Sequence, residues 1–91
     1  MKREIERLTT MLDIANIPYE LTMDGCGNED NQVWYPNRDH AICDVICHKY
    51  SYGGEDGYLE MMGLSGNDDD DVEGWLTAEE VFFRIFMNDS L

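Results

Sequence analysis

Basic residues are scarce in this sequence. Six lysines and arginines stand against twenty aspartates and glutamates, which leaves a formal net charge of −14. No lysine or arginine occurs between Lys49 and Arg84, although that interval contains ten acidic residues. A surface with this charge repels phosphate groups, so the sequence argues against direct binding to nucleic acid or to an anionic membrane. The explanations that remain are a basic partner, a bound cation or simple solubility.

Long apolar runs and an even set of cysteines are also absent. No uninterrupted apolar run exceeds three residues, whereas a membrane-spanning helix needs about 20. The first residues alternate basic and acidic side chains and lack the apolar block of a signal peptide. Three cysteines are an odd number, which suits reduced thiols better than a disulfide framework. We therefore expect a cytoplasmic protein with no membrane-spanning segment.

The apolar residues that are present, 43% of the chain, suffice for one globular domain over residues 1–91. Ile5, Leu8 and Leu12 recur at helical spacing and predict a helix over residues 2–16, which Pro18 ends. Alternation predicts strands in YELTMDG, QVWYPN, AICDVICHKYSY and YLEMMGL, and residues 78–88 predict a second helix. This order predicts an α+β fold with an N-terminal helix, a three- to four-stranded antiparallel sheet and a C-terminal helix, both helices on one face.

Cysteines and histidines crowd into one short segment without forming a plausible metal site. Cys43 and Cys47 lie four residues apart on a predicted strand, which separates them by about 13 Å. One zinc ion, with bonds to sulfur of about 2.3 Å, cannot bind both thiols. We expect both cysteines to be small core residues. No phosphate-binding loop, nucleophile motif or paired histidine and acid occurs, so we expect neither an enzyme nor a cofactor.

The segment DDDDVEGWLTAEE, residues 68–80, allows two interpretations. As a calcium loop of the EF-hand type it would use Asp69, Asp71, Glu73, Thr77 and Glu80, but the segment before it contains two glycines and predicts no entering helix. Alternatively, Thr77 caps the second helix and Glu80 completes a capping box. The capping box accounts for these letters without a metal and is the interpretation that we favour.

A helix cap does not explain four consecutive aspartates, because like charges so close together repel one another. One interpretation is a solvated loop. The other is a surface that imitates a nucleic acid backbone, which carries one charge per about 1.7 Å of duplex. A basic groove that binds DNA or RNA would accept such a surface. The predicted partner-binding residues are Glu55, Asp56, Asp68, Asp69, Asp70, Asp71 and Glu73, with Trp75 as an anchor.

The second helix is apolar on more than one side. Val81, Phe82, Ile85 and Phe86 form one face, which we predict to be buried, while Phe83 and Met87 form another. A helix that is covered on one side needs only the first face. The second face is therefore either covered by the protein itself or is a contact surface, which would allow a homodimer through Phe83 and Met87.

Two segments, SYGGEDGYLEMMGL and VEGWLTAEEVFFRI, resemble small uncharacterised acidic proteins of prophages and mobile elements in Gram-positive bacteria. Proteins from that setting include inhibitors of host nucleases, among them anti-CRISPR and anti-restriction proteins. The resemblance implies a phage-type inhibitor and assigns no functional residue. Together with the charge, it leads us to expect a non-enzymatic protein that blocks a basic nucleic-acid-binding partner, such as a CRISPR effector or a nuclease.

Overall fold

The computed structural model describes residues 4–23, 31–47, 57–64 and 72–91. Within them, one helix precedes and one helix follows a run of strands along the chain, as the α+β prediction requires. The elements are α1 (Glu4–Ala15), β1 (Glu20–Met23), β2 (Asn31–Tyr35), β3 (Cys43–Cys47), β4 (Leu59–Met62), β5 (Val72–Leu76) and α2 (Ala78–Asp89). No helix in these ranges is long and apolar enough to cross a membrane.

The strands form one antiparallel sheet in the order β1-β2-β3-β4-β5, so each strand pairs with its neighbour in sequence. Within the described residues the sheet has five strands, whereas the sequence predicted three to four. The additional strand is β5, which lies inside the segment interpreted above as an acidic loop and cap. Gly74 and Glu73 weaken the strand signal there, because glycine and acidic residues are depleted in strands.

Both helices cover the same face of the sheet, as predicted. Val33, Val45 and Met61 lie opposite one another across β2, β3 and β4, and all three are fully buried. The helices contribute a matching apolar layer to the same core: Ile5, Leu8 and Leu12 from α1, and Ala78, Val81 and Ile85 from α2. Burying one side chain of this size contributes about 1.5–3 kcal/mol, so this layer dominates the stability of the domain.

The helix α1 ends earlier than Pro18, the residue that the sequence suggested as its stop. Asn16 adopts a left-handed conformation with φ 62. Its N–H donates to the Asp13 carbonyl oxygen at 3.1 Å, and the Ile17 N–H donates to the Leu12 carbonyl oxygen at 3.0 Å. These two bonds form a Schellman motif, which satisfies carbonyl groups that the end of a helix leaves without partners.

Tyr35 connects the sheet to the end of α2. Its ring is buried, and its hydroxyl group donates to an Asp89 carboxylate oxygen at 2.9 Å. Burial and the neighbouring Asp89 carboxylate raise the pKa of Tyr35 to about 12. Both effects favour the protonated phenol, so the contact stabilises the fold only while Tyr35 keeps its proton.

The raised pKa predicts a loss of stability in alkali. The folded pKa of Tyr35 lies above the ordinary tyrosine value of about 10, so its contribution is complete below about pH 10 and disappears as the pH rises toward 12. Urea denaturation at several alkaline pH values should show this loss, and Tyr35→Phe should reduce it. Burial and the Asp13 carboxylate also raise the pKa of Tyr19, but Tyr19 is present in both proteins. Equal alkaline losses in the two proteins would contradict the assignment to Tyr35.

Candidate interaction surface

The acidic residues predicted to bind a partner connect to the strand pair β4–β5. Glu55, Asp56 and the four aspartates at 68–71 lie outside the described residues, so their side chains are not placed. Their points of attachment are placed, because Asp56 precedes Gly57 and Asp71 precedes Val72. In the antiparallel pair, Met62 lies opposite Val72 and Leu59 lies opposite Leu76. The two acidic groups therefore join opposite ends of a strand pair about 10 Å long.

Glu73 faces the helices. It lies opposite Met61, a core residue, and its side chain is about three-quarters buried. The Arg84 guanidinium group of α2 forms a two-point ion pair with the Glu73 carboxylate, with nitrogen–oxygen distances of 3.0 and 3.1 Å. Paired N–H donors match a carboxylate in geometry and in charge. Glu73 therefore holds the edge strand β5 against α2. Because its carboxylate has this internal role, Glu73 is not part of the contact surface that we propose.

Trp75 stands exposed on β5 at an irregularity of the sheet. The pairing register shifts between Leu59 and Met61, so β5 contains one residue more than the facing part of β4. Trp75 lies in this bulge with φ 61, and 60% of its surface is exposed. The Tyr58 ring lies beside it, with 6.0 Å between ring centroids and an angle of 50° between the rings. Trp75 is thus open to solvent, and its role as a contact anchor stays a prediction.

The predicted capping box is confirmed at the start of α2. The Thr77 hydroxyl group accepts from the Glu80 N–H at 3.3 Å, and the Glu80 carboxylate accepts from the Thr77 N–H at 3.1 Å. Losing such a cap costs a helix about 1 kcal/mol. Three members of the alternative calcium set therefore already have internal partners, since Glu73 is paired with Arg84. Asp69 and Asp71 lie outside the described residues.

The thiol segment shows the core role predicted for Cys43. Cys43 is buried on the helix-facing side of β3 together with Val45. The side chain of Cys47 and all of His48 lie outside the described residues, and His40 is exposed between β2 and β3. In the described part of the chain, no three histidine, cysteine or acidic residues are grouped closely enough to hold a metal ion.

The described arginines are all engaged within the protein. Arg7 pairs with Glu4 of its own helix and with Glu79 of α2. The hydrogen bond from Arg7 lowers the pKa of Glu79 below its usual value, so Glu79 stays ionised. The Arg38 guanidinium group lies 5.6 Å above the centre of the Trp34 ring, and Arg84 binds Glu73. In the described ranges, eleven acidic residues thus face three guanidinium groups that already have internal contacts.

The outer side of α2 presents large apolar side chains. Phe83 is 63% exposed and Met87 is 51% exposed, so the second face predicted from the sequence is uncovered. Phe86 was predicted to be buried, but it is 45% exposed. The buried stripe runs through Ala78, Val81 and Ile85, and Phe86 lies about 100° around the helix from Ile85. Its ring instead contacts Phe82, with 5.8 Å between centroids.

Comparison with known proteins adds nothing to these observations. No family model, no curated protein and no solved structure matches the chain. The resemblance to prophage proteins therefore stays a prediction. The functional argument depends on the charges, the contacts and the exposed side chains of this chain.

Proposed function

We propose that this protein is a non-enzymatic inhibitor that binds a basic protein in the cytoplasm and occupies the site where that protein binds nucleic acid. The observation that supports the proposal most directly is the charge balance. The chain carries a net charge of −14, and each described arginine is already engaged by a carboxylate or an aromatic ring of the same chain. The excess of negative charge is therefore left to act on other molecules.

A field of this kind selects partners by charge before contact. A strongly anionic protein attracts a basic cleft over about one Debye length, which is about 8 Å at physiological ionic strength. Nucleases and CRISPR effectors line their substrate channels with lysine and arginine, as any protein that binds the phosphate backbone does. The four consecutive aspartates at 68–71 offer such a channel closely spaced negative charges.

The proposal is tested by capture followed by competition. The protein is immobilised, a bacterial lysate freed of nucleic acid is passed over it at low salt, and bound proteins are eluted with duplex DNA or with uncharged dextran. We expect DNA to release nucleic-acid-binding proteins and dextran to release none. A purified captured protein should then lose its own DNA binding when the inhibitor is added in equal amount. The proposal would be contradicted by captured proteins that keep their DNA binding in the presence of the inhibitor, or by captured proteins that neither salt nor DNA elutes.

A second candidate function is a structural homodimer, which the exposure of Phe83 and Met87 favours. Two copies would bring two strongly negative surfaces together, so salt should strengthen the dimer by screening, whereas salt should weaken binding to a basic partner. Sedimentation velocity at low and high salt measures this. The double variant F83S/M87S should abolish the dimer. Ile14→Ser removes an even more exposed apolar side chain from α1 and should have no effect. A monomer under all salt conditions would exclude this candidate.

A further inference from the structure

Trp75 has a backbone conformation that large side chains rarely adopt. Its φ of 61 lies in the left-handed region, which costs an L-residue about 1–2 kcal/mol. Glycine avoids this cost, and Gly74 stands immediately before Trp75, yet the left-handed position holds the tryptophan. Burial does not offset the cost, because most of the Trp75 side chain is exposed. A strained and exposed aromatic residue points to a role outside the fold.

Tyr58 completes an aromatic pair with Trp75. Tyr58 stands immediately before β4 and Trp75 lies on the neighbouring strand β5. The two rings are inclined at 50°, with 6.0 Å between their centroids. Tyr58 is also exposed, so both rings are open to a ligand. The face of an aromatic ring carries partial negative charge and attracts a cation within about 6 Å of its centre.

The chain around this pair is acidic. Asp56 precedes Tyr58 by two residues, so covalent geometry keeps the two Cα atoms within about 7 Å of each other. The net charge of −14 attracts cationic groups to the protein, and Asp56 adds a carboxylate close in sequence to Tyr58. The charge of the surroundings and the chemistry of the rings thus select the same class of ligand.

We propose that Tyr58 and Trp75 form a binding site for an arginine guanidinium group of the basic partner. This inference rests on the function proposed above and names the chemical group that the surface recognises. A guanidinium group is planar and weakly hydrated, so it stacks on aromatic rings better than the ammonium group of lysine. The protein contains the same contact internally, where the Arg38 guanidinium group lies over Trp34.

Two synthetic peptides of equal length and charge test the site, one rich in arginine and the other rich in lysine. The chain contains two tryptophans, so the variant Trp34→Phe leaves Trp75 as the only indole that fluoresces. The arginine peptide should change the Trp75 emission and bind more tightly than the lysine peptide. A cation–π contact at an exposed site predicts a difference of about two- to fivefold in Kd. Anisotropy of labelled peptides on the wild-type protein measures the same Kd values independently of Trp34→Phe.

Variants separate a binding role from a structural one. Trp75→Ser and Tyr58→Ser should each weaken binding of the arginine peptide to the level of the lysine peptide. Phe83→Ser removes an aromatic ring of similar exposure from α2 and should leave both Kd values unchanged. Trp75→Gly removes the ring and also relieves the left-handed strain. We therefore expect Trp75→Gly to weaken binding without lowering the urea midpoint. If the role of Trp75 were purely structural, Trp75→Gly would lower both the affinity and the urea midpoint.

The outcomes also separate this inference from the proposed function. If neither peptide binds at low salt, the proposed function fails and the aromatic site fails with it. If both peptides bind but Trp75→Ser and Tyr58→Ser bind them as the wild type does, the aromatic site is wrong and the acidic surface stands. Equal Kd values for the two peptides on the wild-type protein would likewise overturn the preference for guanidinium.

Discussion

Replacing Gly63 with alanine should lower the free energy of unfolding by about 2–4 kcal/mol. Gly63 follows β4 with φ +85, and a Cβ atom there would lie 2.4 Å from the Ile42 carbonyl oxygen and 3.0 Å from the Cys43 Cα atom. The left-handed conformation costs alanine about 1 kcal/mol, and the contact with backbone atoms adds about 1–3 kcal/mol of strain. A loss of this size is a large part of the 5–15 kcal/mol that stabilises a typical domain.

The matched control is Gly57→Ala. Gly57 also has φ +85, but a Cβ atom at that position meets nothing within 4 Å. It should therefore cost only the conformational part, about 1 kcal/mol. Urea denaturation of both variants separates the cost of the backbone conformation from the cost of the close contact between the end of β4 and the start of β3. If the two substitutions proved equally costly, the close approach of Gly63 to Ile42 would be refuted.

Local patterns predicted most of this fold. The spacing of Ile5, Leu8 and Leu12 indicated α1, and the alternation of Cys43 and Val45 indicated β3, because burial of one face imposes a period on the sequence. The strand β5 has no such period. Its bulge places Trp75 out of step with the residues before it, and Gly74 lowers its strand propensity. Pairing with β4, which no local pattern predicts, places residues 72–76 in the sheet.

The candidate surface was less predictable than the fold. The capping box could be inferred because Thr77 and Glu80 lie one helical turn apart. The pair Arg84–Glu73 and the pair Tyr58–Trp75 join residues that are distant in sequence. Their contacts depend on the register between β5 and β4 and on the packing of β5 against α2. No periodicity in the sequence predicts that register. Composition likewise gives the amount of negative charge but does not tell which carboxylates the protein neutralises itself.

The ion pairs divide the acidic residues into two groups with different tasks. Glu73 and Glu79 each bind an arginine on another element and hold the helices to their neighbours. Truncating Glu73 would remove the carboxylate that pairs with Arg84, and truncating Glu79 would leave Arg7 paired with Glu4 of its own helix alone. Either change would disturb a contact within the fold as well as the charge. The aspartates at 68–71 precede β5 and interrupt no described element. A test of binding by charge should therefore target these aspartates and spare Glu73 and Glu79.

Reversing these four charges should remove most of the affinity for a basic partner. Asp68, Asp69, Asp70 and Asp71 are replaced together by lysine, and the arginine peptide and a captured partner serve as ligands. Each lost attraction and each new repulsion contributes about a third of a kcal/mol at an exposed site, so the eight effects together predict an affinity loss of about 100-fold. At about 0.5 kcal/mol or less for each substitution, the four changes lower the free energy of unfolding by at most about 2 kcal/mol, so the urea transition should show a folded protein.

A second quadruple variant separates the cluster from net charge alone. Lysine at Asp24, Glu29, Asp30 and Asp39 gives the same total charge as the first variant and leaves residues 68–71 intact. Long-range attraction weakens equally in both variants, whereas direct contact with the partner is lost only in the first. The control should therefore retain most of the affinity. Equal losses would show that net charge acts without a specific surface, and undiminished binding by the first variant would remove residues 68–71 from the interface.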